Sequence, residues 1–174
     1  CDGAIDQLLK YSKQIPNLII GDLDSLTLES KLKFSEQLIQ INDQTKNDLV
    51  KAFEVALTKK PQKIIFLGTT GGREDHALAN FSHFFDFAKQ CDIEVYTDHG
   101  KFISVVNSKK ISSFTGQQVS FFTENSNVIV NCENLKWPLN QKSFDRLWQG
   151  SLNESTSDEL EVQISNGVCL VFLV

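Results

Sequence analysis

Methionine is absent from the 174-residue sequence, proline occurs three times, tryptophan and tyrosine twice each, and the four cysteines stand apart at positions 1, 91, 132 and 169. Without a CxxC pair, the cysteines argue against a zinc knuckle and a dense disulfide framework, and are expected to be reduced, mostly buried thiols. No apolar run approaches the ~20 residues that span a bilayer, and no charged start leads into an apolar stretch of signal-peptide type. No membrane partner is therefore expected, and the cytosol is the expected compartment. Basic residues are in the minority, 17 Lys and Arg against 22 Asp and Glu, for a net charge of −5. With no Lys/Arg cluster to track a phosphodiester backbone, nucleic acid is not an expected partner. Position 1 is Cys, so an N-terminal stretch is expected to precede it, with Met positions missing from the chain as written.

What is present is the composition of a folded protein. Hydrophobic residues make up 41% and charged residues 22%, enough for a core, and the length suits one large or two small domains. Up to about residue 97, short apolar runs alternate with helical periodicity, the pattern of βαβ units around a parallel sheet. Strands are expected at Asn17 to Ile20, Lys63 to Leu67 and Ile93 to Thr97. Between them, Asp48 to Lys59 and Asp75 to Gln90 carry apolar residues at i, i+3, i+4 spacing, the first helix capped by Thr45 or Asn47. From about Gly100 the periodicity shortens, with β-rich runs at Phe102 to Val106, Gln117 to Phe122, Val128 to Val130, Leu160 to Ile164 and Val168 to Val174. The pattern predicts an α/β fold: a parallel-sheet domain up to a boundary near Asp98 to Lys101, then a small antiparallel sandwich or barrel.

Three segments carry chemistry. Gly21-Asp22-Leu23-Asp24-Ser25 follows a strand; in extended backbone Asp22 and Asp24 would point to one side and offer paired hard oxygens suited to Mg²⁺. A solvated turn is the commoner use of such residues. Asp43-Gln44-Thr45-Lys46-Asn47-Asp48, with Lys51 one turn on, could face a ligand at a helix start or form only a cap and an exposed ion pair. Gly68-Thr69-Thr70-Gly71-Gly72-Arg73-Glu74-Asp75-His76 joins a strand to a helix and sets glycine N–H groups beside a guanidinium, as an anion site would. It is neither a Walker A loop nor a GxGxxG fingerprint. His83 and His99 read as surface or helix-face residues, and His76 lacks a partner at metal-ligand spacing. Together, carboxylates, a lysine, an arginine and a glycine turn are what phosphoryl transfer requires.

Along its whole length the chain resembles the thiamine pyrophosphokinases. The matching segments occur in family order: Asp2-Gly3-Ala4, Gly21 to Ser25, Asp43-Gln44 through Asp48, Gly71 to Asn80, Leu135-Lys136-Trp137-Pro138-Leu139 and Gly150-Ser151-Leu152-Asn153-Glu154. The resemblance implies a Rossmann-like ATP-binding α/β catalytic domain over residues 1–100 and a small all-β, thiamine-binding sandwich over 101–174. It further implies a homodimer whose active sites lie between domains of the two subunits. The implied activity is that of an ATP:thiamine diphosphotransferase, giving thiamine diphosphate and AMP with Mg²⁺ on the triphosphate. It casts Asp22, Asp24, Asp48 and Arg73 as catalytic, and Asp22, Asp24 and Asp48 as metal ligands with Asp2 a candidate fourth. Gln44 and Lys51 would contact ATP, Gly71 and Gly72 its phosphates, and Asp75 the nucleotide or the cleft. Ser151, Asn153 and Trp137 would lie on the thiamine side. The chain departs from the family at Ala4, which replaces a glycine, and Leu152, which stands where serine is usual; the family's first strand lies outside it. The departures leave two alternatives open, a pyrophosphokinase for another hydroxyl compound and a non-catalytic thiamine- or nucleotide-binding protein.

Overall fold

Helical turns, not a strand, open the chain. The computed structural model describes residues 1–174, and its contacts divide them into two units, Cys1–Pro61 and Gln62–Val174. In the first, a 3-10 turn at Asp2–Ala4 runs into helix α1 (Ile5–Tyr11), followed by β1 (Ile19–Gly21), α2 (Leu28–Lys33), β2 (Leu38–Gln40) and α3 (Asp48–Leu57). β1 and β2 pair in parallel, Ile19 opposite Leu38. Ile5, Ile19, Leu26 and Phe34 form the core, with Leu9, Leu23 and Leu38 packed against it. The expected strand at Asn17 to Ile20 thus lies one to two residues later and ends on Gly21. Helices α1 and α2 run less than two full turns, too short for a 3.6-residue period to stand out.

Helix α3 is placed by its cap. Asn47 is extended, and its side-chain oxygen accepts the Val50 N–H at 3.0 Å. Thr45 instead donates both its backbone N–H and its hydroxyl to Asp43 Oδ1, closing a turn ahead of the helix. Asn47→Ala is expected to cost about 1 kcal/mol, read as a lower urea midpoint at unchanged slope.

The second unit begins with β3 (Lys63–Leu67), α4 (Glu74–Ala88) and β4 (Asp92–Thr97). It continues through β5 (Gly100–Val105), β6 (Ser108–Ser112), β7 (Gln118–Thr123), β8 (Val130–Cys132), β9 (Leu139–Lys142), β10 (Asn153–Glu154), β11 (Glu159–Ile164) and β12 (Cys169–Leu173). Six strands form one sheet in the order β10-β7-β12-β5-β4-β3, and four form a second in the order β6-β11-β8-β9. Only β3 and β4 are parallel; every other pair in these sheets is antiparallel.

The chain is therefore mixed α/β with a β-rich C-terminal part, but the expected parallel sheet appears as two parallel pairs. Beyond β4 the chain turns back as an antiparallel hairpin, Thr97 opposite Gly100, so β5, and through it β12, β7 and β10, extend the sheet that β3 and β4 begin. Gly100 permits the close approach to β12: a Cβ there would collide with the Leu173 carbonyl.

Alternation along the strands builds two apolar layers. Val119 and Phe121 of β7, with Val105 and Val171, share a core with Val130, Leu160 and Val162 of the other sheet. Phe122 of β7 takes the opposite face, where it and Phe102 meet Phe81 of α4 at ring centroids of 5.7 and 5.4 Å. None of the four cysteines is in a disulfide, but only Cys132 and Cys169 are buried, where desolvation pushes them up to about 11 and about 12; Cys1 is exposed and Cys91 partly so.

Candidate active site

The carboxylates after β1 are gathered by a turn. β1 stops at Gly21, and Leu23 adopts a left-handed conformation (φ 67°), so Asp22 and Asp24 do not lie on an extended strand as expected. The Asp24 N–H donates to Asp22 Oδ1 at 3.2 Å, and this bond is the first cause holding the Asp22 carboxyl below the usual range. Ser25 Oγ donates to Asp24 Oδ1 at 3.0 Å. Beneath the turn Asp2 is 1% exposed, its Oδ2 accepting the Leu23 N–H at 2.7 Å and its Oδ1 the Gly3 N–H. Donor atoms of Asp2, Asp22 and Asp24 all lie within 4.8 Å of one another.

The first turn of α3 borders this group. Asp48 lies against Asp2; burial first, then that neighbouring carboxyl, raises the Asp48 pKa. Lys51 Nζ stands 3.2 Å from Asp48 Oδ1, and the lysine side chain is only 3% exposed. Gln44 Nε2 donates to Asp22 Oδ2 at 3.4 Å, and Gln40, which the sequence did not single out, donates to the Asp22 carbonyl at 3.1 Å. Asp2, Asp22, Asp24, Gln44, Asp48 and Lys51 are thus brought together, and Lys51 is buried where an exposed ion pair was the simpler expectation.

The glycine-rich segment lies in the second unit, between β3 and α4. Gly68 and Gly71 have positive φ (67° and 83°), and Asn80 Nδ2 ties the loop to α4 by donating to the Thr69 carbonyl at 3.0 Å. Arg73 is the residue before α4 and makes a two-point fork with Asp75, Nε to Oδ1 at 3.1 Å and Nη2 to Oδ2 at 2.6 Å. Both are solvent-exposed, and the fork is the first cause lowering the Asp75 pKa. The guanidinium is thus oriented by Asp75 and remains accessible to an anion.

In the β-rich part, Trp137, Phe144, Ser151, Leu152 and Asn153 line a cleft of about 560 Å³. Asn153 clamps the Trp137 backbone, accepting its N–H at 3.2 Å and donating Nδ2 to its carbonyl at 2.7 Å. Ser151 Oγ donates to the Trp148 carbonyl. Leu152 has φ 62° and is 77% exposed, so an apolar side chain stands at the cleft mouth. Trp148, 72% exposed, also escaped the sequence reading; an aromatic inside a polar stretch was its only signal.

Residues 1–97 match the family model described as the catalytic domain of thiamin pyrophosphokinase, and residues 100–172 the model described as its substrate-binding domain. No curated protein matches the chain. Among solved structures, thiamine pyrophosphokinase from Bacillus subtilis is 22% identical, with a TM-score of 0.81 over 96% of this chain and 82% of that one. The enzyme from Candida albicans is 16% identical, with a TM-score of 0.84 over 99% and 79%, and that from yeast is 16% identical, with 0.78 over 99% and 77%. At these identities the likeness is one of fold.

Proposed function

Because the chain belongs to the thiamin pyrophosphokinase family, we propose that it transfers the pyrophosphoryl group of ATP to the hydroxyl of thiamine, releasing thiamine diphosphate and AMP. The observation that carries this reading is the gathering of Asp2, Asp22 and Asp24 within 4.8 Å, bordered by Asp48 and Lys51. Asp22 and Asp24 fit Mg²⁺: their donors are hard oxygens, and both stay open enough to leave positions for phosphate and water. Bound there, Mg²⁺ would neutralise triphosphate charge.

In the reaction the thiamine hydroxyl oxygen bonds to the β-phosphorus, the bond from that phosphorus to the α,β-bridging oxygen breaks, and AMP leaves with that oxygen. The hydroxyl proton must be taken up, and Asp48, a partly buried carboxyl of raised pKa, suits that role. Lys51 and Gln44 serve the ATP side, while Arg73, oriented by Asp75, holds phosphate with the Gly71 and Gly72 backbone. The cleft of Trp137, Ser151 and Asn153 takes thiamine; the Ser151 and Asn153 side chains already brace backbone, which leaves the Trp137 ring as the contact surface. We assign residues 1–100 to a Rossmann-like ATP-binding domain and 101–174 to the thiamine-binding sandwich. We also assign a homodimeric state, for which exposed Trp148 and Leu147 argue, and a cytosolic location, which suits four cysteines outside any disulfide.

An ATP-dependent assay for thiamine diphosphate with stoichiometric AMP tests the reading; AMP release indifferent to thiamine would reject it. Arg73→Ala is expected to lower kcat/KM for ATP roughly tenfold to a hundredfold without changing thermal stability, since its fork with Asp75 is exposed.

A further inference from the structure

Asp2 differs from the other carboxylates of the cluster in having almost no access to water: it is 1% exposed, whereas Asp24 is exposed and Asp22 and Asp48 are partly so. We propose that Asp2 is a positioning residue, whose carboxylate holds the left-handed turn at Leu23 and so sets the directions of Asp22 and Asp24, without itself ligating the metal. This deepens the reading of Asp22 and Asp24 as the Mg²⁺ site and rests on it.

Three observations converge on this role. Both Asp2 oxygens already accept backbone N–H groups, Oδ1 from Gly3 and Oδ2 from Leu23, the latter at 2.7 Å and across 21 positions of sequence. Leu23 holds φ 67°, a conformation that disfavours a residue with a Cβ and persists only where its surroundings impose it. The Asp2 carboxylate is the polar group bonded to its N–H. Finally, the end of β1 is shaped around that carboxylate, because a Cβ on Gly21 would lie 2.5 Å from Asp2 Cγ. Asp22 and Asp24 flank Leu23 directly, so its backbone angle fixes how their carboxylates face each other. Freed from Asp2, Leu23 is expected to relax to negative φ and the pair to separate, even though neither residue has changed.

The alternative is that Asp2 is a third ligand, its donor atom being among those within 4.8 Å. The two roles differ in what can rescue them, because a glycine at position 23 takes positive φ without help. Mn²⁺ binding, followed by its EPR signal on the full chain, is expected to weaken about tenfold or more in Asp2→Asn, as for other supports of metal ligands. It is expected to return close to the Leu23→Gly level in Asp2→Asn/Leu23→Gly. An equal loss in both backgrounds would make Asp2 a ligand and overturn the proposal. Amide hydrogen exchange in metal-free protein supplies a second measurement: the Leu23 N–H is expected to be protected in wild type and to lose protection in Asp2→Asn. An unprotected Leu23 amide in wild type would also overturn it. Mn²⁺ binding indifferent to Asp24→Asn would reject the metal reading instead, with the exchange result still deciding what Asp2 does.

Discussion

Asp24→Asn is expected to lower kcat/KM for thiamine diphosphate formation by on the order of 10²–10³, as for other groups that act on charge developing in a transition state. The substitution is close to isosteric. The introduced amide keeps an oxygen for the Ser25 hydroxyl, and the exposed side chain contributes nothing to the core. What disappears is one negative charge beside Asp22, so on the proposed reading the site would hold Mg²⁺ more weakly. Excess Mg²⁺ is therefore expected to recover part of the rate but not all of it. Unfolding free energy is expected to stay within about 0.5 kcal/mol of wild type, because a solvated carboxylate among other carboxylates adds little to the fold. Steady-state assays over a Mg²⁺ series, paired with circular-dichroism melts, separate the two effects. Wild-type turnover in this variant would remove Asp24 from the site.

The segments that build the candidate site were legible as elements because they are local. Lys63–Leu67 is a strand over the residues its composition marks, and α4 begins one residue before the expected Asp75. Gly21 to Ser25 announces itself as a strand end with two carboxylates, yet the way it brings them together was not readable. That depends on Leu23 taking positive φ, which no leucine signals, and on a hydrogen bond from a residue 21 positions away. Burial of Lys51 was hidden for a similar reason: its i, i+3 spacing to Asp48 is the same whether the pair faces water or protein. One feature of the sheet was not legible, the turn after Thr97. A change from helical to strand periodicity marks where helices stop, but it does not show that β5 pairs with β4 and continues its sheet. The cleft beside Trp137 was legible only by resemblance, because Asn153 and Ser151 use their side chains on backbone groups, as residues of any tight turn do.

Lys51→Met should produce the largest loss of stability among single changes at the site. The lysine is 3% exposed and its Nζ sits 3.2 Å from Asp48 Oδ1, while Asp48, 30% exposed, lies against Asp2. Methionine fills the space of the stem but leaves Asp48 without its cation. Deleting one partner of a buried pair costs about 3–5 kcal/mol; with water reaching Asp48, roughly 2–3 kcal/mol is expected here. At this chain length that lowers Tm by about 4–12 °C. The loss should depend on pH with a definite sign. Asp48 has a folded pKa above its unfolded value, so its protonation favours the folded state; this contribution is complete below the unfolded pKa and is lost as pH rises through the folded pKa. Without Lys51 that pKa rises further, so the deficit against wild type is expected to be widest near pH 8 and to narrow towards pH 5. Lys51→Met/Asp48→Asn should regain most of the stability at pH 8, because the stranded charge is gone. Chemical denaturation of both variants at the two pH values measures this directly; a single variant that loses less than about 1 kcal/mol, or a double variant no more stable than the single, would show that Lys51 does not neutralise Asp48.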